Sequence, residues 1–435
     1  MSSHSQDAVL VRKARTGLSL VARVIVRANT RVRNVFLKKS RYHTKRIRYR
    51  WKLVRRRGEH VGLALRNVWR FVLRRAFNLH KPFVRVSRRS RRFYELFSLR
   101  RLEWRIERKT RRTARRRRPL VLGPWVSEVG FEVLYWVPFL RWLRAECGWD
   151  ASTTIAISRG GVASWYAGVA DRYVEIFDVV DPLTLTLQNE RRRASTGGTH
   201  KQLEVSDFDC ELIKHGCITT NLGECQVVHP SAMYRLFRQF WLGHRPVSHV
   251  LERTRFARPS TTSELDLRVL PENYVVVKAY TAQSFPDVPR NRKFLHDLVE
   301  QLTESLPVVI LDTGFSVDDH EDYRLDRRER IFHLDTLMRP QNNLELQTQV
   351  IAGARAYIGT CGSLAWLAPM LGVPTVALFG DDQFLREHLY FARHAYRAMG
   401  AATFATIDVR ALDAPRIDLS SLLATDPARP AVRVT

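Results

Sequence analysis

The stretch AYIGTCGSLAWLAPMLGVPTVALFGDD, residues Ala356 to Asp382, decides the fold. Its first residues predict a strand that leads into Gly359-Thr360-Cys361-Gly362-Ser363, a turn without bulky side chains where backbone can approach a ligand closely. Leu364 to Leu371 predicts an apolar helix, which Gly372 ends. A second buried strand is predicted at Thr375 to Phe379. The stretch therefore predicts a βαβ unit.

The turn of this unit is a candidate anion site. The free N–H groups at the start of a helix, together with the helix dipole, attract a phosphate or diphosphate. The alternative is that the small residues only allow the helix and the strand to pack closely.

The run LAPMLGVPTVALFG resembles the C-terminal domain of GT-B glycosyltransferases, especially the ADP-heptose lipopolysaccharide heptosyltransferases. Its APMLGVP portion is also similar to UDP-N-acetylglucosamine 2-epimerase. The resemblance implies that the helix start receives the diphosphate of a nucleotide sugar. Where heptosyltransferases carry a His, this chain has Trp366. The residues that contact the base and the sugar of the nucleotide therefore stay unassigned. The residues implied in donor phosphate binding are Thr360, Cys361, Gly362, Ser363 and Leu364.

Basic residues near the predicted strand Asn273 to Ala279 are further candidates. Lys278 lies at the carboxyl end of that strand, and Arg290 and Arg292 follow in the next loop. Resemblance to heptosyltransferases implies a basic residue here that faces the phosphates, and cations would stabilise the leaving diphosphate. The alternative is that the loop cations are only solvated. Asp381 is a candidate contact to ribose or sugar hydroxyls, or a plain turn residue.

A second βα pattern begins at Pro119, with strands predicted at residues 120–122, 152–157 and 174–180. Alternating strands and helices imply a parallel sheet that binds ligands at the carboxyl ends of its strands.

Glu128 and Glu132, at the start of the first helix, are the candidate catalytic bases, because an acceptor hydroxyl must lose its proton as it attacks. The heptosyltransferase resemblance likewise implies an acidic residue after the first strand. Alternatively, Glu128 favours the helix dipole and Glu132 packs or pairs. Arg159 is a candidate contact to an anionic group.

The segment from Leu183 to Gln226 is polar and without clear periodicity, which predicts a long mobile excursion over the acceptor side. It contains three of the five cysteines. No Cys-x-x-Cys pair occurs, so we expect neither a disulfide framework nor a metal site, and a reducing compartment.

The positive charge is confined to the N-terminal region. Residues 1–118 contain 39 Lys and Arg against 5 Asp and Glu, whereas the whole chain has a net charge of +29. Apolar and aromatic residues recur at helical intervals there, which favours basic amphipathic helices on an anionic membrane surface. Nucleic acid binding and a poorly folded extension are the alternatives. No apolar run approaches the ~20 residues of a membrane span, so we expect a cytoplasmic protein, peripheral on the inner face of the membrane.

Together these patterns predict an α/β chain with two Rossmann-like domains of GT-B type facing a cleft. The predicted divisions are a basic helical region at 1–118, an acceptor domain at 119–255 and a nucleotide-sugar domain at 265–435. The predicted activity is metal-independent transfer of a hexosyl or heptosyl group from a nucleotide sugar to a hydroxyl of a cell-envelope glycan or glycolipid, without a cofactor. The alternatives are a nucleotide-sugar epimerase or hydrolase on the same fold, and an RNA-binding or scaffold protein that uses the basic arm.

Overall fold

A computed structural model describes residues 97–116, 118–196, 201–261, 267–315, 321–382, 385–412 and 417. The chain divides into two units between Phe97 and Ser98, and the elements below belong to Ser98–Thr435. The basic helices predicted before residue 97 lie outside the described residues. Within the described part, no helix is both long and apolar enough to cross a bilayer.

The first sheet has four parallel strands in the order β3-β2-β1-β4. The inner strand β1 (Leu120–Leu122) is short and fully buried, because Leu-Val-Leu is apolar on both faces, as parallel sheets covered by helices require. Val121 pairs with Ile155 on one side and with Val227 on the other. The strands are β1 (Leu120–Leu122), β2 (Thr154–Ser158), β3 (Arg172–Glu175) and β4 (Gln226–Val228).

Helices cover this sheet and connect its strands. Residues 98–114 belong to helix α1, which precedes β1. Helix α2 runs continuously through an α-helical Val129–Phe131, a π-helical Glu132–Trp136 and an α-helical Val137–Cys147. The other helices are α3 (Pro182–Ser195), α4 (Asp207–Thr219), α5 (Ser231–Trp241) and α6 (Ser248–Leu251).

The second sheet has six parallel strands in the order β10-β9-β8-β5-β6-β7. This is the strand order of the Rossmann fold, and it reverses between β5 and β8. The predicted pair of parallel α/β halves is therefore confirmed. The first half is built on the four-stranded sheet and the second half on the six-stranded sheet. The strands are β5 (Val275–Lys278), β6 (Val308–Ile310), β7 (Ile331–His333), β8 (Ala356–Thr360), β9 (Thr375–Phe379) and β10 (Phe404–Asp408), and the helices are α7 (Pro289–Ser305), α8 (Asn343–Gly353) and α9 (Arg386–Met399).

The prediction of a mobile excursion at Leu183 to Gln226 is wrong, because α3 and α4 occupy most of it. Besides the buried side chains of Leu185, Phe208 and Leu212, caps and a buried ion pair stabilise the two helices. Asp181 accepts from the Thr184 N–H at the start of α3, and Ser206 and Asp209 form a capping box at the start of α4. Arg192 of α3 bonds Asp209 of α4 at 2.9 Å, with both side chains buried.

The helix predicted at Leu364 to Leu371 is replaced by two 3₁₀ turns, Ser363–Ala365 and Ala368–Leu371. Pro369 is the physical reason, because proline lacks the N–H and clashes with the carbonyl four residues before it. Gly372 ends the second turn at φ +82°, as predicted. Any anion bound at Gly362 and Ser363 must therefore rely on the local N–H groups, since no long helix dipole stands behind them.

Helix α1 contacts the first half although it precedes the predicted boundary at residue 118. Ala114 is buried, and Arg111 bonds Glu146 at 3.0 Å. Glu107 bonds Arg253 at 3.0 Å. That boundary stays a prediction.

The two halves meet where the turn after β2 reaches the start of α8. The Gly160 carbonyl accepts hydrogen bonds from the Leu344 and Glu345 N–H groups, both at 3.0 Å. These are N-terminal donors that α8 cannot satisfy internally. The Glu175 carboxylate accepts from the Gly160 and Gly161 N–H groups at 3.0 and 2.7 Å, which fixes the turn that presents the carbonyl.

Gly161→Ala should destabilise the protein more than the same change at Gly400. Both glycines have positive φ, +79° and +62°, so each alanine costs about 1–2 kcal/mol of backbone strain. A Cβ at Gly161 would also lie 2.8 Å from the Gln341 carbonyl oxygen, whereas one at Gly400 would meet nothing within 4 Å. The additional overlap should cost a further ~1–3 kcal/mol, measured as a shift of the urea midpoint. Equal shifts in the two variants would contradict the contact between the halves.

Candidate functional site

A cavity of about 940 Å³ lies between the two halves. It contacts the segment after β1 in the first half and the segment after β8 in the second half, where ligands bind in parallel α/β sheets. Its charged and histidine lining residues are Glu128, Arg159, Arg193, Lys201, Lys278, Asp322, Glu387 and His388.

The segment that carries Glu128 is held by buried polar contacts. Arg159 donates to the Ser127 carbonyl at 2.8 Å, and the Ser127 hydroxyl lies 2.8 Å from the Tyr234 hydroxyl. On its other side, Gln202 donates to the Pro124 carbonyl at 3.0 Å and accepts from the Val126 N–H at 3.2 Å. Glu128 and Arg159 both line the cavity, and their catalytic and binding roles stay predictions.

The Glu128 segment directly approaches the small-residue turn of the second half. A Cβ built on Gly130 would lie 2.9 Å from the Ser363 nitrogen and 3.1 Å from Trp366. Glycine is therefore required at position 130 for the approach. Cys361, Gly362, Ser363 and Leu364 line the cavity, and their role in donor phosphate binding stays a prediction.

Thr360 does not line the cavity and instead supports its wall. Its hydroxyl accepts from the Tyr280 N–H and donates to the Tyr280 carbonyl, both at 3.0 Å. Burial raises the pKa of the Cys361 thiol well above its usual range, so this lining residue is a neutral thiol.

The predicted cations of the second half separate into two groups. Lys278 lines the cavity, where its ammonium bonds Asp322 at 2.7 Å and donates to the Leu311 carbonyl at 2.6 Å. Arg290 and Arg292 are placed elsewhere, which corrects their expected position. Arg290 donates to the Val409, Arg410 and Leu412 carbonyls, and the exposed Arg292 pairs with Asp287.

Two predicted carboxylates also lie outside the lining. The Asp381 N–H donates to the Ser284 carbonyl at 3.1 Å, and its side chain does not line the cavity. Glu132 is fully buried in the π-helical part of α2, where one carboxyl oxygen accepts from Ser158 at 2.5 Å and from Tyr166 at 2.6 Å. This corrects the expectation that Glu132 faces the cleft.

Burial makes Glu132 an unusual acid. It raises the pKa of Glu132 to about 7, although the hydrogen bonds from Ser158 and Tyr166 and the charge of Arg159 oppose the shift. Its second carboxyl oxygen has no hydrogen-bond partner among the residues that the structure describes. At neutral pH the side chain is therefore present in both protonation states.

Sequence reasoning missed an aromatic wall of the cavity. Phe131 and Trp241 meet edge to face at 5.2 Å, and the Lys201 ammonium lies 5.1 and 4.6 Å from their ring centres. His388 Nδ1 lies 2.7 Å from the Tyr135 hydroxyl, which links α9 to α2. Burial, together with the Lys201 charge, lowers the pKa of His388 to about 3, so its ring is neutral. No motif marks these residues, and Lys201 lies in the segment interpreted as an excursion.

Residues that could bind a metal ion were also located outside the cavity lining. Among the described residues, His296, Asp297 and Glu300 of α7 could together hold an ion, and none of the three lines the cavity. Asp209, the second carboxylate of the sequence Asp207-Phe208-Asp209, is buried and bonds Arg192, which is a structural role.

Comparison with known proteins gives matches in structure only. No protein-family model matches the chain, and no curated protein matches it in sequence. The iron-containing dodecameric glycosyltransferase TibC from enterotoxigenic E. coli aligns with 61% of this chain at 12% identity and a TM-score of 0.35. That alignment spans 59% of the TibC chain.

Two further similar structures align with this chain over most of their own length. The E. coli heptosyltransferase WaaC with ADP aligns over 61% of this chain and 89% of its own, at 14% identity and a TM-score of 0.31. A putative UDP-N-acetylglucosamine 2-epimerase from Listeria monocytogenes aligns over 67% of this chain and 93% of its own, at 11% identity and a TM-score of 0.29. Both kinds of protein that the sequence resembles therefore recur among the similar structures.

Glu132→Gln should change how stability depends on pH. A folded pKa of about 7 lies above the ordinary value of 4.5. The unaltered protein therefore has its full stability from this group below pH ~4.5 and loses it as pH rises through ~7, by about 3 kcal/mol in all. Glutamine resembles the neutral acid, so the variant should gain stability relative to the unaltered chain between pH 5 and pH 8.

Urea unfolding at the two pH values measures this difference. Glu211→Gln is the matched control, because Glu211 is exposed on α4. A difference between the Glu132 variant and the unaltered chain that is the same at pH 5 and pH 8 would contradict the raised pKa.

Proposed function

We propose that the protein is a glycosyltransferase that moves a sugar from a nucleotide sugar to a hydroxyl of a glycan or glycolipid acceptor. The observation that carries this proposal is the meeting of two segments in one cavity. The Glu128 segment of the first half and the Gly362–Ser363 turn of the second half approach within contact distance across it. A carboxylate and a backbone turn without side-chain bulk are the groups that this transfer requires.

In the proposed reaction the donor lies against the second half. The N–H groups of the Gly362–Ser363 turn and the ammonium of Lys278 face its diphosphate. Glu128 accepts the proton of the acceptor hydroxyl as the hydroxyl oxygen forms its bond to the anomeric carbon. The bond from that carbon to the diphosphate oxygen breaks, and the nucleoside diphosphate leaves with the electron pair. A hexosyl or heptosyl donor, and metal independence, are parts of the proposal.

A nucleotide-sugar epimerase or hydrolase on the same fold would need the donor alone. The two activities separate when products are identified with and without an acceptor, because only a transferase makes a new glycoside.

Glu128→Gln should lower the turnover of sugar transfer by ~10²-fold or more while donor affinity stays nearly unchanged. Glutamine keeps the size of the side chain but cannot accept the proton. Glu132→Gln is the control, since Glu132 is buried outside the cavity lining, and it should lower turnover much less. Near-normal transfer by the Glu128 variant would dismiss this base.

Gly362→Val tests the donor seat in the same assay. Its φ is +135°, and a Cβ there would lie 2.6 Å from the Tyr280 hydroxyl, so valine should displace the turn. Donor affinity, measured by thermal shift, should fall strongly. Gly400→Val, at another glycine of positive φ but outside the cavity, is the control and should leave donor affinity unchanged. Unchanged donor affinity in a folded Gly362→Val variant would remove the seat from the proposal.

We also propose that the protein works at an anionic membrane surface, which would present a lipid-linked acceptor. The exposed face of α1 supports this, because it carries Trp104 at 56% exposure among basic side chains. The guanidinium of Arg108 lies 5.0 Å from the Trp104 ring centre. The exposed basic residues are Arg100, Arg101, Arg105, Arg108, Lys109 and Arg112.

Sedimentation with vesicles tests this surface. The full chain should bind phosphatidylglycerol vesicles and not phosphatidylcholine vesicles, and salt should weaken the binding. Replacing Trp104 with Ser, together with Arg105 and Arg108 with Gln, should lower the bound fraction. An unchanged bound fraction, or release from vesicles by competing RNA, would argue against a membrane role for this face.

A further inference from the structure

The second-half wall of the cavity carries little positive charge. Among the residues that the structure describes, its charged lining residues are one cation, Lys278, and two carboxylates, Asp322 and Glu387. The Lys278 ammonium already bonds Asp322 at 2.7 Å. Arg290 and Arg292, the other cations predicted to face a diphosphate, lie outside the lining. A bound anion therefore finds a near-neutral or negative wall on this side.

The first-half wall has the opposite charge. In the described part of this wall, the charged lining residues are three cations, Arg159, Arg193 and Lys201, against one carboxylate, Glu128. Arg193 also contacts Glu190 at 3.5 Å. The excess of positive charge in the cavity therefore lies in the first half, on the side opposite to the one that the sequence favoured.

Lys201 is the best defined of these cations. Its ammonium lies over the faces of both Phe131 and Trp241, at 5.1 and 4.6 Å from their centres. Such contacts stabilise a cation at an aromatic face. Burial lowers the pKa of Lys201, while the Glu128 charge opposes the shift. A cation removed from water interacts more strongly with an incoming anion than one in bulk solvent.

We propose that the first-half wall, centred on Lys201 with Arg193 and Arg159, binds an anionic phosphate or carboxylate group of a ligand in the cavity. The aromatic faces of Phe131 and Trp241 beside the ammonium suit a ring attached to that group. This inference rests on the proposed function for the identity of its ligand, and on the charge and geometry of the wall for its location.

Two sources can supply the anion. One is the diphosphate of the donor, whose leaving charge is then met from across the cavity by the half that also carries Glu128. The other is an acidic sugar of the acceptor, whose anchoring at Lys201 brings a neighbouring hydroxyl towards Glu128. Both sources place an anionic group at the first-half wall, and the probes below distinguish them.

The test measures the affinity of the full chain for pyrophosphate, methyl glucuronide and the neutral methyl glucoside by titration calorimetry. Lys201→Met should weaken binding of at least one anion by about tenfold or more, as expected for the loss of a charge-assisted hydrogen bond. It should leave binding of the neutral glucoside unchanged. Lys201→Arg keeps the charge and should retain the affinity within a factor of a few. Lys214→Met is the matched control, because Lys214 is exposed on α4.

Weakening of pyrophosphate alone assigns the wall to the donor, and weakening of glucuronide alone assigns it to the acceptor. Equal affinities in Lys201→Met and the unaltered chain, or no binding of either anion to the unaltered chain, overturn the proposal. If Lys201→Met does not fold, Arg193→Met and the loss of anion affinity at high salt give the same decision. Anion binding without any nucleotide-sugar binding would leave this wall standing and overturn the proposed transferase instead.

Discussion

The Gly160 carbonyl is the hydrogen-bond acceptor on which the position of the two halves depends. It satisfies two N-terminal donors of α8 that would otherwise be buried without partners, which costs ~1–3 kcal/mol for each group. Glu175 fixes that carbonyl by accepting from the same turn. Nearby, Trp165 donates to the Thr348 hydroxyl at 3.0 Å and Ser164 donates to Glu345 at 2.5 Å. The cavity is thus placed by backbone and side-chain contacts together.

The periodicity of the sequence located most strands of the two sheets, but it missed β4, β10 and the helices between β3 and β4. Apolar runs such as Leu120–Leu122 and Thr375–Phe379 are strands at the predicted residues. A short apolar run between turn residues is typical of a buried parallel strand. The segment containing α3 and α4 was missed, since Ser206, Asp209 and Arg192 stabilise it through polar contacts that no hydrophobic pattern reveals. Pro369 explains why the apolar run from Leu364 to Leu371 does not form an α-helix.

The candidate site shows a similar division. Glu128 and Gly362 follow predicted strands, and such positions can be located from sequence because strand ends of parallel sheets converge. Lys201, Trp241 and His388 come from helices and a connection that are distant in the sequence, so only the folded chain places them together. Spacing likewise could not distinguish Glu128 from Glu132. The two are four residues apart on one helix start, yet one lines the cavity and the other is buried.

The buried Glu132 carboxyl makes folding a proton-uptake reaction near neutral pH. With a pKa of about 7 in the folded chain and an ordinary value in the unfolded chain, about half a proton is released from this group on unfolding at pH 7. The buffer must take up that proton and contributes its own heat of ionisation. The calorimetric enthalpy of unfolding will therefore differ between a buffer with a large ionisation enthalpy, such as an amine, and one with a small ionisation enthalpy, such as phosphate, even where the two give the same melting temperature.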